Sequence, residues 1–461
     1  MRGCSGTQQS GCVPFLYGIG TLGPFRENLV YGLLFFARCR YNGGKEISAP
    51  PEPAERRPIE WREYIMKVRN EVQAVYPEIQ AVRHELHRHP ELGHREVETT
   101  RRIRACLEEY GAEVLDYGFP TGLAARIRGG HPGRLLALRE DIDALPILEN
   151  TGLPFASQTP GVCHACGHDV HTAALLGCAK LLARHREELW GDVLLIFQCG
   201  EETFDGAAAM LSQGLFRDRT PDAVVGFHCA PDLPLGTLSI REGIASASCD
   251  SIRLEVTGKG GHGAHPELCV DPVVLSAGLL MQLQTLVSRT NNPTDPVVLT
   301  FGEIHGGTAP NIIPNTVTLR GTLRTLDNEV RRRHLEAIAR IGEDFCRTFG
   351  GSCTTEVELA VPPLVNDPES CRLLHQAADR VLGPGHAETG RSPSMGSDDF
   401  SCLLEACGNR GVQFQLGTAQ EGLPQSGLGL HVAENIFPDE ALLPGMALLT
   451  QFALEYLSPR E

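Results

Sequence analysis

Between Cys163 and His171 the chain reads CHACGHDVH, which crowds cysteine, histidine and aspartate into nine residues. Thiolate, imidazole and carboxylate are the groups that hold zinc and neighbouring first-row metals. More groups of this kind stand far away in the sequence: Asp141 and Asp143, the adjacent Glu201 and Glu202, His228 and His431. The Cys163-x-x-Cys166 spacing also fits a redox pair or half of a zinc ribbon. A ribbon needs a second such pair, and the sequence has none. A redox pair has no use for His168 and His171 in the same turn. Metal binding leads, with redox chemistry and plain packing as alternatives. Neighbouring carboxylates point in different directions, so one of Glu201 and Glu202 can ligate an ion while the other moves a proton. Alone, that pair is simply a favourable charge at a helix start; its position has to decide.

Each group follows an apolar run that reads as a buried strand. Leu135–Leu138 leads into Arg139-Glu140-Asp141-Ile142-Asp143. Val193–Phe197 leads into Gln198-Cys199-Gly200-Glu201-Glu202, Ala223–Phe227 into His228, and Val412–Leu416 into a glycine-rich loop and then His431. A helix is expected over 171–185, and a helical pattern covers 61–110. Strand–helix alternation predicts an α/β fold with a mostly parallel sheet. Such sheets bind ligands outside the carboxyl ends of their strands, where these donors fall.

The stretch 244–356 changes rhythm. Strands are expected at 251–256, 297–304, 316–324 and 352–359, with helices at 272–287 and 328–349. That order, β-α-β-β-α-β, is the two-layer ferredoxin-like pattern. The expected organisation is an extension at 1–60, an α/β domain in two parts at 61–243 and 357–461, and an inserted α+β domain at 244–356.

Composition narrows the function. The 461 residues carry 42% hydrophobic and 21% charged side chains, as a globular chain does. A net charge of −16 repels phosphate backbones, so nucleic acid is not an expected partner. No apolar run approaches the ~18 residues that cross a membrane; Leu29–Ala37 is too short. The 16 cysteines are scattered rather than packed as a disulfide scaffold, which suits a reducing, cytoplasmic setting. Residues 49–53 (APPEP) read as a linker. Gly258–Gly263 (GKGGHG) matches a dinucleotide fingerprint formally, but Pro266 interrupts the helix it needs. His262 and His265 there, and Asn311 in TAPNIIP, are polar groups that loops could offer to a ligand. MGSDDF at 395–400 reads as a helix cap.

Jointly, LREDIDALPILE, HACGHDVHTA, IFQCGEE, VVGFHCAPDLPLGTL, GKGGHGAHPE, GGTAPNIIPNTV and MGSDDF resemble the M20 metallopeptidase and amidohydrolase family. The similarity runs from about His84 to the C terminus. It is nearest the aminoacylase-like branch, with its hippurate hydrolases and indole-acetyl-amino-acid hydrolases. The resemblance implies two divalent ions (zinc, manganese, nickel or cobalt) held by Cys166, His168, Glu202, His228 and His431, with Asp141 and Asp143 behind them. It implies Glu201 as general base. It makes His262 and Asn311 substrate-binding groups that can serve a partner subunit, His262 also stabilising the oxyanion, and the inserted domain a lid and homodimer surface. Departures are GLHVAENIF around His431, Glu140 before Asp141, Cys199-Gly200, and Thr203-Phe204-Asp205 after the paired glutamates. The expected activity is hydrolysis of the amide of N-acyl amino acids by a metal-activated water. Rivals are a dipeptidase or N-acetyl-diaminopimelate deacetylase on the same scaffold, and a metal-binding protein without catalysis. A structural site is closed by protein donors, whereas the spare carboxylate of Glu201-Glu202 favours catalysis.

Overall fold

The computed structural model describes residues 58–459, with side chains from Val68 onward. The expected extension, its apolar run and the linker lie outside the described residues, apart from 58–60, which begin the first helix. No described helix is long and apolar enough to cross a membrane.

The chain enters through α1 (Pro58–Arg88) and α2 (Val97–Glu109), then β1 (Glu113–Leu115), β2 (Leu123–Ile127) and β3 (His131–Asp141). Helix α3 (His168–Arg184) leads to β4 (Trp190–Gln198), and α4 (Gly206–Ser212) to β5 (Ala223–Pro234), β6 (Leu238–Ser239) and β7 (Gly243–Ser246). A second unit follows: β8 (Cys249–Thr257), β9 (Gly261–His262), α5 (Pro272–Thr285), β10 (Val297–Gly306), β11 (Ile312–Ile313), β12 (Thr316–Thr325), α6 (Asn328–Thr348) and β13 (Ser352–Val361). The chain closes with β14 (Leu364–Asn366), α7 (Pro368–Val381), β15 (Ala387–Glu388), α8 (Phe400–Ala406), β16 (Gly411–Ala419) and α9 (Leu442–Tyr456).

The main sheet has the order β1-β2-β4-β3-β5-β16-β6-β15. Its centre, β4-β3-β5-β16, is parallel, while β1, β2 and β6 join antiparallel toward the edges. The alternation of a strand explains how both faces are covered. Leu136 and Leu138 pack with α1, α3, α7 and α9 in one core; Leu135 and Ala137 pack with α4 and α8 in another. Helix α3 is buried almost all round, which accounts for its nearly uninterrupted apolar sequence between the polar residues at its two ends.

The second sheet, β10-β12-β8-β13, is wholly antiparallel, and α5 and α6 bury their apolar stripes on it. Val330, His334, Ile338, Gly342 and Cys346 recur every four residues along the covered face of α6. Asp271, Asp327 and Asp367 cap α5, α6 and α7 by accepting backbone N–H bonds, which is why each helix starts where it does.

Helix α1 is pinned to the start of α3 by buried charge. Arg83 Nε and His87 Nδ1 both reach Asp169 Oδ2 at 2.9 Å, and Arg83 Nη1 reaches Asp439 at 2.7 Å. Burial works against a charged His87, but Asp169 and Glu149 outweigh it and lift its pKa to about 9. The sign follows. Below pH ~6.5 the imidazole is charged in folded and unfolded chains alike, and the pairing contributes its full stabilisation. As pH rises through about 9 the folded imidazole loses its proton and that contribution disappears. His87→Gln in the metal-loaded protein is expected to reduce the fall in unfolding free energy between pH 6.5 and 9, read from urea titrations, by about 2–3 kcal/mol. An unchanged slope would show that His87 is neutral in the folded chain.

Candidate metal centre

The carboxyl ends of β3 and β4, the middle of β5 at His228 and the first turn of α3 meet at one edge of the sheet. The apolar run predicts an end of β5 at Phe227, but the strand continues to Pro234. Gly167, at φ +93°, turns the chain into α3, where a Cβ would press on the Phe437 ring at 3.1 Å. That turn presents Cys166 and His168 to the same space.

Five overlapping triads of donor atoms lie there, each with its atoms within 4.8 Å of one another; two of them are Cys166, His168 and His228, and Cys166, Glu202 and His431, and a third joins His168 and Glu202 to Glu201. Cys166 belongs to the first two. Its Sγ is 3.4 Å from His228 Nε2, and His431 Nε2 is 3.3 Å from Glu202 Oε1. His168 Nε2 stands 3.9 Å from both Glu201 Oε2 and Glu202 Oε1. His168 Nε2 and Glu202 Oε1 are buried and make no hydrogen bond. Buried polar atoms left this way are costly unless something else satisfies them. The donor set, its shared thiol and its two orphaned atoms fit a pair of divalent cations.

The imidazoles are oriented from behind. His168 Nδ1 faces the Asp143 carbonyl at 3.0 Å and Oδ1 at 3.2 Å, so it carries the proton and leaves Nε2 free. His228 Nδ1 donates to the Cys229 carbonyl at 2.8 Å, which turns Nε2 toward Cys166. Asp143 Oδ2 also accepts the Glu202 N–H at 3.0 Å. His171 is fully engaged: Cys229 N–H donates to its Nε2 at 2.9 Å and its Nδ1 donates to Asp141 Oδ1 at 2.7 Å. Burial pushes its pKa down to about 4, so it stays neutral. His431 is the outermost donor, with half its side chain exposed. Its backbone holds φ +61°, uncommon for a residue other than glycine, and its N–H donates to the Ala165 carbonyl at 2.9 Å. The loosest of the motifs thus still reaches the cluster.

Glu201 is buried beside Asp398 and Asp399, its ligand atom within 4.8 Å of theirs. Burial, then the charges of Asp398 and Asp399, push its pKa well up. Arg139 balances the acids, its Nη1 2.9 Å from Asp141 and 3.5 Å from Asp398, its Nη2 3.3 Å from Asp399. The MGSDDF cap was only half of the reading: Asp398 does accept the Phe400 N–H at 2.8 Å, but Asp399 belongs to the Arg139 network. Glu96, which accepts the Gly200 N–H at 2.8 Å and steadies the loop before Glu201, carries no motif that would single it out.

His262 and Asn311 are not brought to the cluster. They adjoin each other on β9 and just before β11, where Gly263 N–H bonds the Asn311 carbonyl at 2.9 Å. His262 Nδ1 accepts from Ala264 N–H at 3.0 Å, and no described contact links either residue to the donors. Beside His228 a cavity of about 690 Å³ opens, lined also by Arg241, Ser246, Arg391, Ser394 and Leu430.

The model of peptidase family M20/M25/M40 matches residues 137–455. An N-acetyl-L-cysteine deacetylase of Bacillus subtilis (strain 168) is 40% identical over 328 residues, 70% of this chain and 77% of its own. A hippurate hydrolase of Campylobacter jejuni is 33% identical over 385 residues, 82% of this chain and 97% of its own. Among solved structures, the Bacillus subtilis YXEP protein, a dinuclear metal binding peptidase from the M20 family, aligns with a TM-score of 0.70 at 33% identity, over 84% of this chain and 99% of its own.

Asp143 orients one donor and tethers the backbone of another. Asp143→Asn is expected to weaken metal affinity by ~10–100-fold, read by chelator competition, with the circular dichroism spectrum retained. Unchanged affinity would remove Asp143 from the site's support.

Proposed function

The chain belongs to peptidase family M20/M25/M40 and is a hydrolase, and from that premise we propose that it cleaves the amide bond of N-acyl amino acids at a two-metal centre. The ligands in this reading are Cys166, His168, Glu202, His228 and His431. The observation that carries it is the pair of donor triads sharing Cys166, with Glu201 close enough to form a further triad with His168 and Glu202. Relatives that deacetylate N-acetyl-L-cysteine or hydrolyse hippurate support a substrate whose acyl group is amide-linked to an amino acid.

Cys166, His168, Glu202, His228 and His431 would hold two divalent ions, and the chemistry available to such ions is polarisation of the scissile carbonyl and acidification of water. Thiolate, imidazole and carboxylate together suit zinc, and manganese, nickel and cobalt share the preference in part. Glu201 takes the proton from the attacking water and gives it to the leaving amine. Its burial among Asp398 and Asp399 raises its proton affinity, which suits a group that is base first and acid second. Asp141 and Asp143 hold the imidazoles behind the donors.

His262 and Asn311 enter from a second copy of the chain in this reading, His262 with Nε2 free to donate to the developing oxyanion. The unit 244–356 then serves as lid and dimer surface. Exposed Val274 and Met281 on α5, at 67% and 74%, and Ile304 on the edge strand β10 give it an uncovered apolar side. The free thiols of the described cysteines suit a cytoplasmic setting.

Glu201→Gln is expected to keep metal content and lower turnover of N-acyl amino acids by ~10²–10⁴-fold. Near-normal turnover would overturn its role. Light scattering is expected to show a particle of twice the 50.0 kDa chain mass. A particle of single-chain mass would sink the second-copy placement of His262 and Asn311.

A further inference from the structure

The cavity beside His228 contains two guanidinium groups in different electrostatic states. Arg391 is ion-paired. It pairs with Asp232, its Nε lies 3.4 Å from Glu388, and its Nη1 donates to Gln415 Oε1 at 2.7 Å. Asp232, an acid in the same lining, is taken up by that pairing. Arg241 has no such partner. Its Nε donates to the Ile244 carbonyl at 2.5 Å and its Nη1 to the Arg391 carbonyl. Both acceptors are backbone. No described carboxylate forms an ion pair with Arg241, and its Nη2 makes no hydrogen bond among the described residues.

The mount is rigid. Arg241 follows β6, which pairs with β16 through Ser239 and Gln415. Its own carbonyl accepts from Asn366 Nδ2 at 2.9 Å, and Asn366 also bonds β16 at Gln413. The two backbone acceptors hold the guanidinium in place and leave Nη2 without a hydrogen-bond partner among the described residues, on a side chain that lines the cavity. A fixed guanidinium edge matches a carboxylate bidentately, which a flexible ammonium does not.

We propose that Arg241 binds the free carboxylate of the N-acyl amino acid and so selects acids over their neutral amides. The assignment rests on the amidohydrolase reading above. It gives the cavity a direction: the scissile amide lies toward His228, and the carboxylate of the amino-acid half lies on Arg241. Arg391, already paired, shapes the wall and holds Arg241 through its carbonyl.

The test uses the metal-loaded full-length chain with N-acetyl and N-benzoyl amino acids and the matching C-terminal carboxamides. The wild type is expected to favour the acids in kcat/KM by ~10–100-fold, the worth of a hydrogen-bonded charge. Arg241→Gln is expected to erase that preference by raising KM for the acids, with kcat, metal content and amide turnover little changed. Arg241→Lys is expected to keep part of it, which serves if the glutamine variant does not fold. Equal loss on acids and amides would make Arg241 a structural residue and overturn the proposal. A wild type that cleaves both alike would overturn it too while leaving the amidohydrolase reading intact. A wild type that cleaves neither would defeat that reading and the carboxylate role with it.

Discussion

One guanidinium with no exposed surface, Arg139, makes the rest of the site affordable. Asp141, Asp398, Asp399 and Glu201 are all at most 7% exposed and converge where β3 and β4 end. Like charges so close and so dry favour the protonated forms, and Glu201 and Asp399 are both pushed that way; Arg139 opposes the shift at Asp399. Arg139 touches three of them directly and bonds Gln198 Oε1 at 2.9 Å, and Gln198 in turn donates to Asp399 at 2.6 Å. A network of this kind is poor evidence for net stability, since desolvation opposes it. What it supplies is placement.

The placement can be followed bond by bond. Arg139 holds Asp141; Asp141 accepts from His171; His171 accepts from the Cys229 N–H; and that peptide adjoins His228. On the other side Arg139 and Gln198 hold Asp399, which accepts the Ala207 N–H at 2.8 Å and so fixes the turn that follows Glu201 and Glu202. Gly226 completes the joint. A side chain there would come within 2.5 Å of the Arg139 carbonyl, so only glycine lets β5 run this close to β3 two residues before His228. The donors come from distant parts of the sequence, yet a few buried bonds set their separations.

Much of this was legible because it is locally encoded. The strands around Leu135, Val193, Ala223 and Val412 are apolar runs followed at once by polar chemistry, and a buried parallel strand has to look like that. The four-strand, two-helix unit was equally plain, since its helices are capped by aspartates and its strands are long. The sheet edges were not, because strands of two or three residues such as β1 and β6 hold too little of a period to read. Asp399 was hidden for a different reason. An aspartate before a helix already has a sufficient local explanation, and its bond to Arg139 spans 260 residues. Glu96 was hidden in the same way, 104 residues from the Gly200 it steadies.

The same loop serves two ends of the chemistry. Gly429 and Leu430 line the cavity beside His228, and the next residue, His431, belongs to a donor triad. His168 is sealed in the protein while His431 is half exposed, so the cluster is dry on the side that orients it and open on the other. A purely structural centre gains nothing from an exposed donor on a backbone held at positive φ. The outer donor stands next in sequence to two residues of the cavity wall. The bond from its N–H to Ala165 holds His431 in that conformation.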